Sequence, residues 1–411
     1  MGAELTTRCC IVGGGPAGMM LGYLLGRAGV ETLVLEKHAD FFRDFRGDTV
    51  HPSTLTLMAE LGLIDDFLTL PHQRLDLLAA QFGETRVQLA DLSRLDAPYP
   101  FIAFMPQWDF LDFLRDKAAA FPSLRLMMRA EATGLLRDGE RVRGVRAETP
   151  EGPLEIRADL TVACDGRHSV LRASAGLEVE DLGAPMDVLW FRAGKHGPGD
   201  ELLARVDAGR MMITLDRGDY WQCAYVIPKG RIDAVRARGL DAFRADAVRL
   251  APALDPGIAE VASWDEVKLL TVTIDRLRRW ALPGLVCIGD AAHAMSPVGG
   301  VGVNLAVQDA VAAANLLAGP LAGGCPPLAA LEAVQARRAF PARMTQRMQV
   351  AVQDIVVRRA LDAGGPVRPP LPVRIVGAVP PLQRLAARMI GIGVRPEHVR
   401  SPVAPQSGAS M

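Results

Sequence analysis

The sequence predicts an α/β fold: a Rossmann-like nucleotide-binding domain, an inserted and mainly β domain, and a helical C-terminal region. Three observations carry that prediction. The apolar run Cys9–Val12 breaks into Gly13-Gly14-Gly15-Pro16-Ala17-Gly18, and a second apolar run, Thr32–Leu35, ends in Glu36. From about 183 to 274 the texture becomes β-rich, before the apolar run Leu285–Ile288 ends in Gly289-Asp290 and resumes the first pattern. From 326 onward the spacing is mainly helical, interrupted by prolines.

The first stretch has the form of a βαβ dinucleotide fingerprint, with Gly13, Gly15 and Gly18 in its three glycine places. Gly13 permits the tight turn out of the strand. Gly15, lacking a Cβ, lets a pyrophosphate approach the N-terminus of a helix, where free N–H groups and the helix dipole favour an anion. Gly18 allows close packing of helix on strand. Glu36 stands about 20 residues on, where a carboxylate accepts hydrogen bonds from ribose hydroxyls. The fingerprint alone does not choose between FAD and NAD.

Residues 37–52 are too mixed for a core element and read as a long functional loop. Ser53 is expected to cap a helix to Glu60, and Gln107–Ala120 has amphipathic helical spacing. Gln81–Leu92, Leu124–Met128, a small antiparallel sheet over 130–158 and a buried strand Leu160–Cys164 follow. In the insert, 188–192, 211–215, 220–227 and 267–274 read as strands, with 216–219 as a hairpin turn. Val303–Leu317 reads as a helix closed by Gly319-Pro320, Pro341 as a helix kink, and 366–372 as a linker. The expected domains are 1–182, with a small excursion near 75–100 toward the substrate side, then 183–274, 275–345 and 346–411.

Composition bounds the partners. The 411 residues carry 46 Lys+Arg against 47 Asp+Glu, so no net field recruits nucleic acid, and a small molecule is the default partner. The six cysteines form no CxxC and no Cys/His metal spacing, which predicts reduced structural thiols and no metal site. No signal peptide or uncharged run of membrane-spanning length is read, so the cytoplasm is the expected compartment. The apolar, arginine-dotted stretch Leu371–Val394 reads as a packed helical lid or homodimer contact, with peripheral membrane contact as the alternative.

Two further stretches narrow the chemistry. Cys164-Asp165-Gly166, with Arg172 downstream, follows a strand and leads through a turn into a capped helix. Gly289-Asp290, followed by small residues, Pro297, the glycines 299, 300 and 302, and Asn304, places an acid at a strand tip and opens a helix. An ordinary βα turn does not need so many small residues, whereas a flat ring or phosphate against bare backbone does.

In this order the three stretches resemble the class A flavoprotein monooxygenases, the para-hydroxybenzoate hydroxylase-type family, over the chain to about residue 345. The resemblance implies a lasting FAD bound at Gly13, Gly15, Pro16, Ala17 and Gly18, with Glu36 at the adenosine ribose and neighbouring Lys37 also on the cofactor. It places Arg46 and Gln107 at the pyrophosphate and ribityl region, Asp165 on FAD, and Gly289 and Asp290 at the ribityl hydroxyls. Gly300, Val301, Gly302 and Asn304 fall at the flavin edge, and Pro297 borders the space over the ring. Arg46, His51 and Pro297 are the catalytic candidates, with Tyr220 a further acid/base candidate.

The resemblance further implies that NAD(P)H visits as a transient co-substrate without a Rossmann domain of its own. O2 then supplies one oxygen, through a flavin hydroperoxide, to a small aromatic or polyketide-like substrate. The apolar strands of the insert, with Trp190, Trp221 and Tyr225, suit a flat hydrophobic molecule. A halogenase, suggested by the partial Trp-x-Trp-x-Ile-Pro likeness of Trp221–Pro228, a reductase of the same fold, and a flavin-binding sensor without turnover are the alternatives.

Overall fold

The computed structural model of the protein describes residues 3–42, 49–197, 204–365 and 367–405. Its parallel sheet places Ala3–Val12 between Thr32–Glu36 and Gly152–Ala163, with Leu124–Met128 and Leu285–Cys287 outside them. Strands covered on both faces read as unbroken apolar runs rather than alternating ones. Cys9, Cys10, Ile11 and Val34 accordingly lie fully inside. Burial pushes the Cys10 thiol up to about 12, which makes it a packing group rather than a nucleophile.

One face of this sheet packs with Met20, Leu24, Phe110 and Val307 from helices Pro16–Arg27, Gln107–Ala118 and Gly302–Gly323. The other face shares a core with Val142, Val145, Leu171 and Trp280. Gly152–Ala163 is one continuous strand. It pairs parallel with Ala3–Val12 and, along its first half, antiparallel with Arg141–Thr149, so the two strands expected over 154–164 are joined.

A seven-stranded sheet forms the second layer. Its order is Lys268–Leu270, Met186–Gly194, Tyr220–Pro228, Arg210–Asp216, Ala204–Asp207, Leu77–Phe82, Thr85–Asp91. Two of its strands therefore come from residues 77–91, and the parallel pairing of Ala204–Val206 with Ala80–Phe82 stitches them on. Alternation gives this sheet two distinct apolar faces. Leu189, Phe191, Trp221, Cys223 and Tyr225 pack outward under helix Leu240–Leu250. Val188, Trp190, Met211, Ile213, Ala224 and Val226 lie on the opposite face, against Val298, Val357 and Leu361.

Four local expectations are corrected. Pro52, not Ser53, opens the helix to Glu60, because a first-turn position has no N–H to lose; His51 takes the cap place. Helix Gly302–Gly323 runs through Pro320, since the carbonyl that Pro320 leaves without a donor, that of Leu316, belongs to an exposed residue of the last turns. Of 267–274 only Lys268–Leu270 pairs as a strand. Helix Leu328–Val352 contains Pro341 without ending there and continues through a π turn, Gln353–Arg358. Helices Leu371–Ala378 and Pro380–Gly391 then dock on strand Thr85–Asp91, and the first of them begins inside the expected linker.

Candidate active site

The strand registers put Leu35, Val12, Ala163 and Cys287 in one row across four neighbouring strands. The chain therefore leaves the carboxyl edge of the sheet four times, into Glu36, Gly13, Asp165 and Asp290. Ligands of open α/β sheets bind outside such an edge.

Each glycine of the first loop has its own role. Gly13 has φ +106°, and a Cβ there would meet the Cys164 carbonyl oxygen at 2.3 Å. A Cβ on Gly18 would meet the Gly13 carbonyl oxygen at 1.9 Å. Gly15 is different: nothing lies within 4 Å of where its Cβ would be. Close packing fixes Gly13 and Gly18, whereas Gly15 faces open space at the uncapped start of helix Pro16–Arg27, with Pro16 in the first turn. Glu36 closes the loop by accepting the Gly14 N–H (3.0 Å) and the His38 N–H (3.0 Å). Lys37 points to the surface, 4.0 Å from Glu131.

The other motifs converge on this loop. Gly289, at φ +60°, lies against Ala17 and Ala306, 3.1 and 3.5 Å from where its Cβ would be. Asp290 faces Arg167 at 3.7 Å. Asp165 accepts the Leu171 N–H on one oxygen (3.2 Å), while its Oδ1 is buried with no partner among the described residues. Burial also raises its carboxyl above the ordinary range. Arg172 is spent within the protein in a buried two-pronged pair with Asp275, at 3.2 and 3.1 Å.

The second glycine cluster is clamped from the other side. Gly300, at φ +63°, crowds Thr49, whose hydroxyl donates to the Gly300 carbonyl (2.7 Å). Asn304 accepts the His51 N–H (2.8 Å) and the Thr54 hydroxyl (2.7 Å), and donates to the Thr49 carbonyl (3.1 Å). Helix Gly302–Gly323 starts after Val301 with no side-chain cap, so its first N–H groups are open to a ligand. His51 is fully buried; its Nδ1 donates to the Ile390 carbonyl (2.8 Å) and its Nε2 has no partner among the described residues. Burial lowers it to about 4, so it is neutral at pH 7.

Arg46 lies outside the described residues. The chain on either side of its segment is placed: Phe42 packs on Trp108 with ring centroids 5.0 Å apart, and Thr49 sits at Gly300. Gln107 opens the helix that carries Trp108 and makes no side-chain hydrogen bond among the described residues. Pro297, half-buried, precedes Val298, which meets the apolar face of the seven-stranded sheet. Tyr220 stacks under Arg192, 4.5 Å from the guanidinium carbon to the ring centroid. Trp221 and Tyr225 are not at the site: both are buried on the outer face, Tyr225 5.4 Å from Phe243. The aromatic residues of the stretch that suggested a halogenase therefore belong to the outer core.

Two supporting groups escaped the sequence reading. Gln346, Gln349 and Gln353 form a buried polar stripe on the C-terminal helix that holds backbone groups of 294–298. Gln349 donates to the carbonyls of Ser296 and Val298 (both 2.9 Å), and Gln353 to the Ser296 hydroxyl (2.7 Å). Glutamines at i, i+3 and i+7 among apolar residues were the available signal. The second group is a buried charge chain. Asp309 accepts the Gly289 N–H (3.1 Å) and His293 Nε2–H (2.6 Å) on one oxygen, and Arg338 Nε–H (2.8 Å) on the other. Arg338 then reaches Glu397 (3.3 Å), which Arg337 also holds (2.6 Å).

A parallel sheet with a glycine loop, two further acid-bearing turns at the same edge and a second sheet facing them defines a dinucleotide-binding protein. The FAD binding domain family matches residues 6–348. A 6-methylpretetramide 4-monooxygenase from Streptomyces rimosus is 30% identical over 401 residues, covering 96% of this chain and 94% of that one. A rifampicin monooxygenase from Streptomyces venezuelae is 28% identical over 326 residues, covering 77% of this chain and 65% of the relative. Among solved structures, the OxyS anhydrotetracycline hydroxylase from Streptomyces rimosus superposes with a TM-score of 0.73 at 25% identity, covering 94% of this chain and 76% of that one. The chain belongs to this FAD binding domain family, the para-hydroxybenzoate hydroxylase-type class A flavin monooxygenases. It is an FAD-dependent monooxygenase with NAD(P)H as co-substrate.

The residues present fit FAD. The space beside Gly15, two uncapped helix N-termini and the buried Asp165 Oδ1, which has no partner among the described residues, suit groups from outside the chain. A dinucleotide with hydroxyl donors and a diphosphate supplies them.

Proposed function

We propose that this protein hydroxylates a flat aromatic, polyketide-like molecule held between the Pro297–Gly302 turn and the seven-stranded sheet. The observation that carries the proposal is the apolar face of Val188, Trp190, Met211, Ile213, Ala224 and Val226, which meets Val298 directly after Pro297. FAD, which the Gly13–Gly18 loop and the Asp165 and Asp290 turns would hold, would supply hydride acceptance from NAD(P)H and activation of O2. The balance is substrate–H + O2 + NAD(P)H + H⁺ giving substrate–OH + H2O + NAD(P)⁺.

The chain's own residues hold and shield this chemistry. Gly13–Gly18 would carry the diphosphate, Glu36 the adenosine ribose, and Asp165 and Asp290 the hydroxyls between ribose and ring. Gly300, Val301 and Gly302 present N–H groups at a helix N-terminus, where the dipole stabilises negative charge on the ring edge. Asn304 and Thr49 keep that turn in place. His51, neutral and buried, positions the turn against the C-terminal helix rather than exchanging protons. The apolar face excludes water and orients the substrate.

The test is NADPH consumption with product mass analysis on the purified yellow protein, using 6-methylpretetramide and simpler polycyclic phenols. The expected result is a gain of one oxygen per NADPH consumed. An FAD-loaded protein whose NADPH oxidation no aromatic compound stimulates, and which adds no oxygen, would overturn the proposal.

A further inference from the structure

The two helices Leu371–Ala378 and Pro380–Gly391 are anchored on one side only. Their inner side is fixed: Ala387 is fully buried with Leu78, Leu92 and Phe104, and Gly377 lies so close to Val87 that a Cβ would meet it at 2.4 Å. Gln383 ties the helices together by donating to the Gly377 carbonyl (2.7 Å). Their outer side carries Leu371, Ile375, Val379 and Leu385, which are 65, 44, 37 and 54% exposed. Exposed aliphatic groups this dense, on neighbouring turns of two short helices, call for a partner.

The charge around them selects it. Between Asp362 and Glu397 the chain holds five arginines, at 368, 374, 384, 388 and 395, and no acidic residue. Arg368, Arg374, Arg384 and Arg388 are exposed and form no ion pair with the described residues. We infer that the outer side of residues 371–391 docks on an anionic lipid surface, with the four aliphatic side chains in the acyl boundary and the arginines at the headgroups. Apolar side chains flanked by cations on one helix face are the pattern of interfacial helices. A second copy of this chain is a poor occupant, because a symmetric contact would set arginines against arginines. The carbonyl of Ile390, in the last turn of the docked helix, holds His51, so the lipid-facing element abuts the candidate active site.

The test uses the full FAD-loaded protein and vesicles of phosphatidylglycerol with phosphatidylcholine, or phosphatidylcholine alone, in a sedimentation assay. Binding is expected to the anionic vesicles only, and to fall at high salt. The triple variant R374Q/R384Q/R388Q should lose about fivefold in partitioning for each arginine, about a hundredfold in all. The variant L371S/I375S/V379S/L385S should also lose binding, with FAD content and melting temperature retained, since its side chains are exposed. Three results would overturn the inference: no binding to anionic vesicles, equal binding by the variants, or vesicle indifference together with a dimer or an acidic protein complex that the serine variant abolishes.

Discussion

Replacing Arg338 by Met tests whether the buried charge chain governs the cofactor turn. Arg338 bridges Asp309 and Glu397, and all three are buried. Burial opposes ionisation of Asp309, but His293 and Arg338 outweigh it and hold the carboxyl below its usual range. Methionine fills much of the same volume but leaves both carboxylates short of a partner. Breaking a buried pair from one side costs about 3–5 kcal/mol. With an unfolding entropy of about 2 cal/mol/K per residue over 411 residues, that is a fall of about 4–6 °C in melting temperature. The sign of the pH effect follows. A depressed carboxyl contributes stability that is present above its unfolded value, about 4, and is lost as pH falls through the lower folded value. Without Arg338 that loss begins at higher pH. Because Asp309 also holds the Gly289 N–H, FAD should bind about tenfold more weakly, ~1.4 kcal/mol. Thermal melts between pH 4 and 8 and FAD fluorescence titration read both effects. An unchanged melting temperature, or a destabilised protein with undiminished FAD affinity, would refute the reasoning.

Two glycine variants should separate folding from cofactor binding. Gly15→Ala places its methyl in open space and should leave the apoprotein's melting temperature unchanged while weakening FAD by at least about tenfold. Gly13→Ala, with φ +106° and the Cys164 carbonyl oxygen 2.3 Å from the new Cβ, should instead cost soluble protein; equal behaviour of the two would contradict the roles given. His51, lowered by burial to about 4, favours the folded state only while neutral. That stability is present above about pH 6.5 and is lost as pH falls toward 4, on the order of 3 kcal/mol in total. His51→Gln should flatten the difference between melts at pH 7 and pH 5, and an unchanged slope would exclude the histidine as its source.

The fold was legible wherever one local signal did two jobs. The run Cys9–Val12 is apolar because both faces of its strand are covered, and the glycines after it mark close approaches of the backbone. The outer and inner faces of the seven-stranded sheet were not legible, because apolar side chains occupy both. That is why Trp221 and Tyr225 could not be separated from Trp190 before the packing was seen. The site's glycines and acids stood out by spacing, but their supports did not. Asp309 and Arg338 meet across 29 positions and Gln349 and Ser296 across 53, contacts that no periodicity encodes. Pro320 misled for a related reason, since a proline in a helix's last turns breaks little.

The stitching of residues 77–91 onto strands from 186–270 limits how this enzyme can be recombined with its relatives. A chimera that exchanged only 183–274 would bring a foreign Ala204–Val206 edge to the resident Ala80–Phe82, and mismatched registers there turn side chains to the wrong face. The exchangeable unit is discontinuous. Moving substrate preference between family members therefore calls for transplanting both segments together, with the helices of 353–391 that cover the inner face.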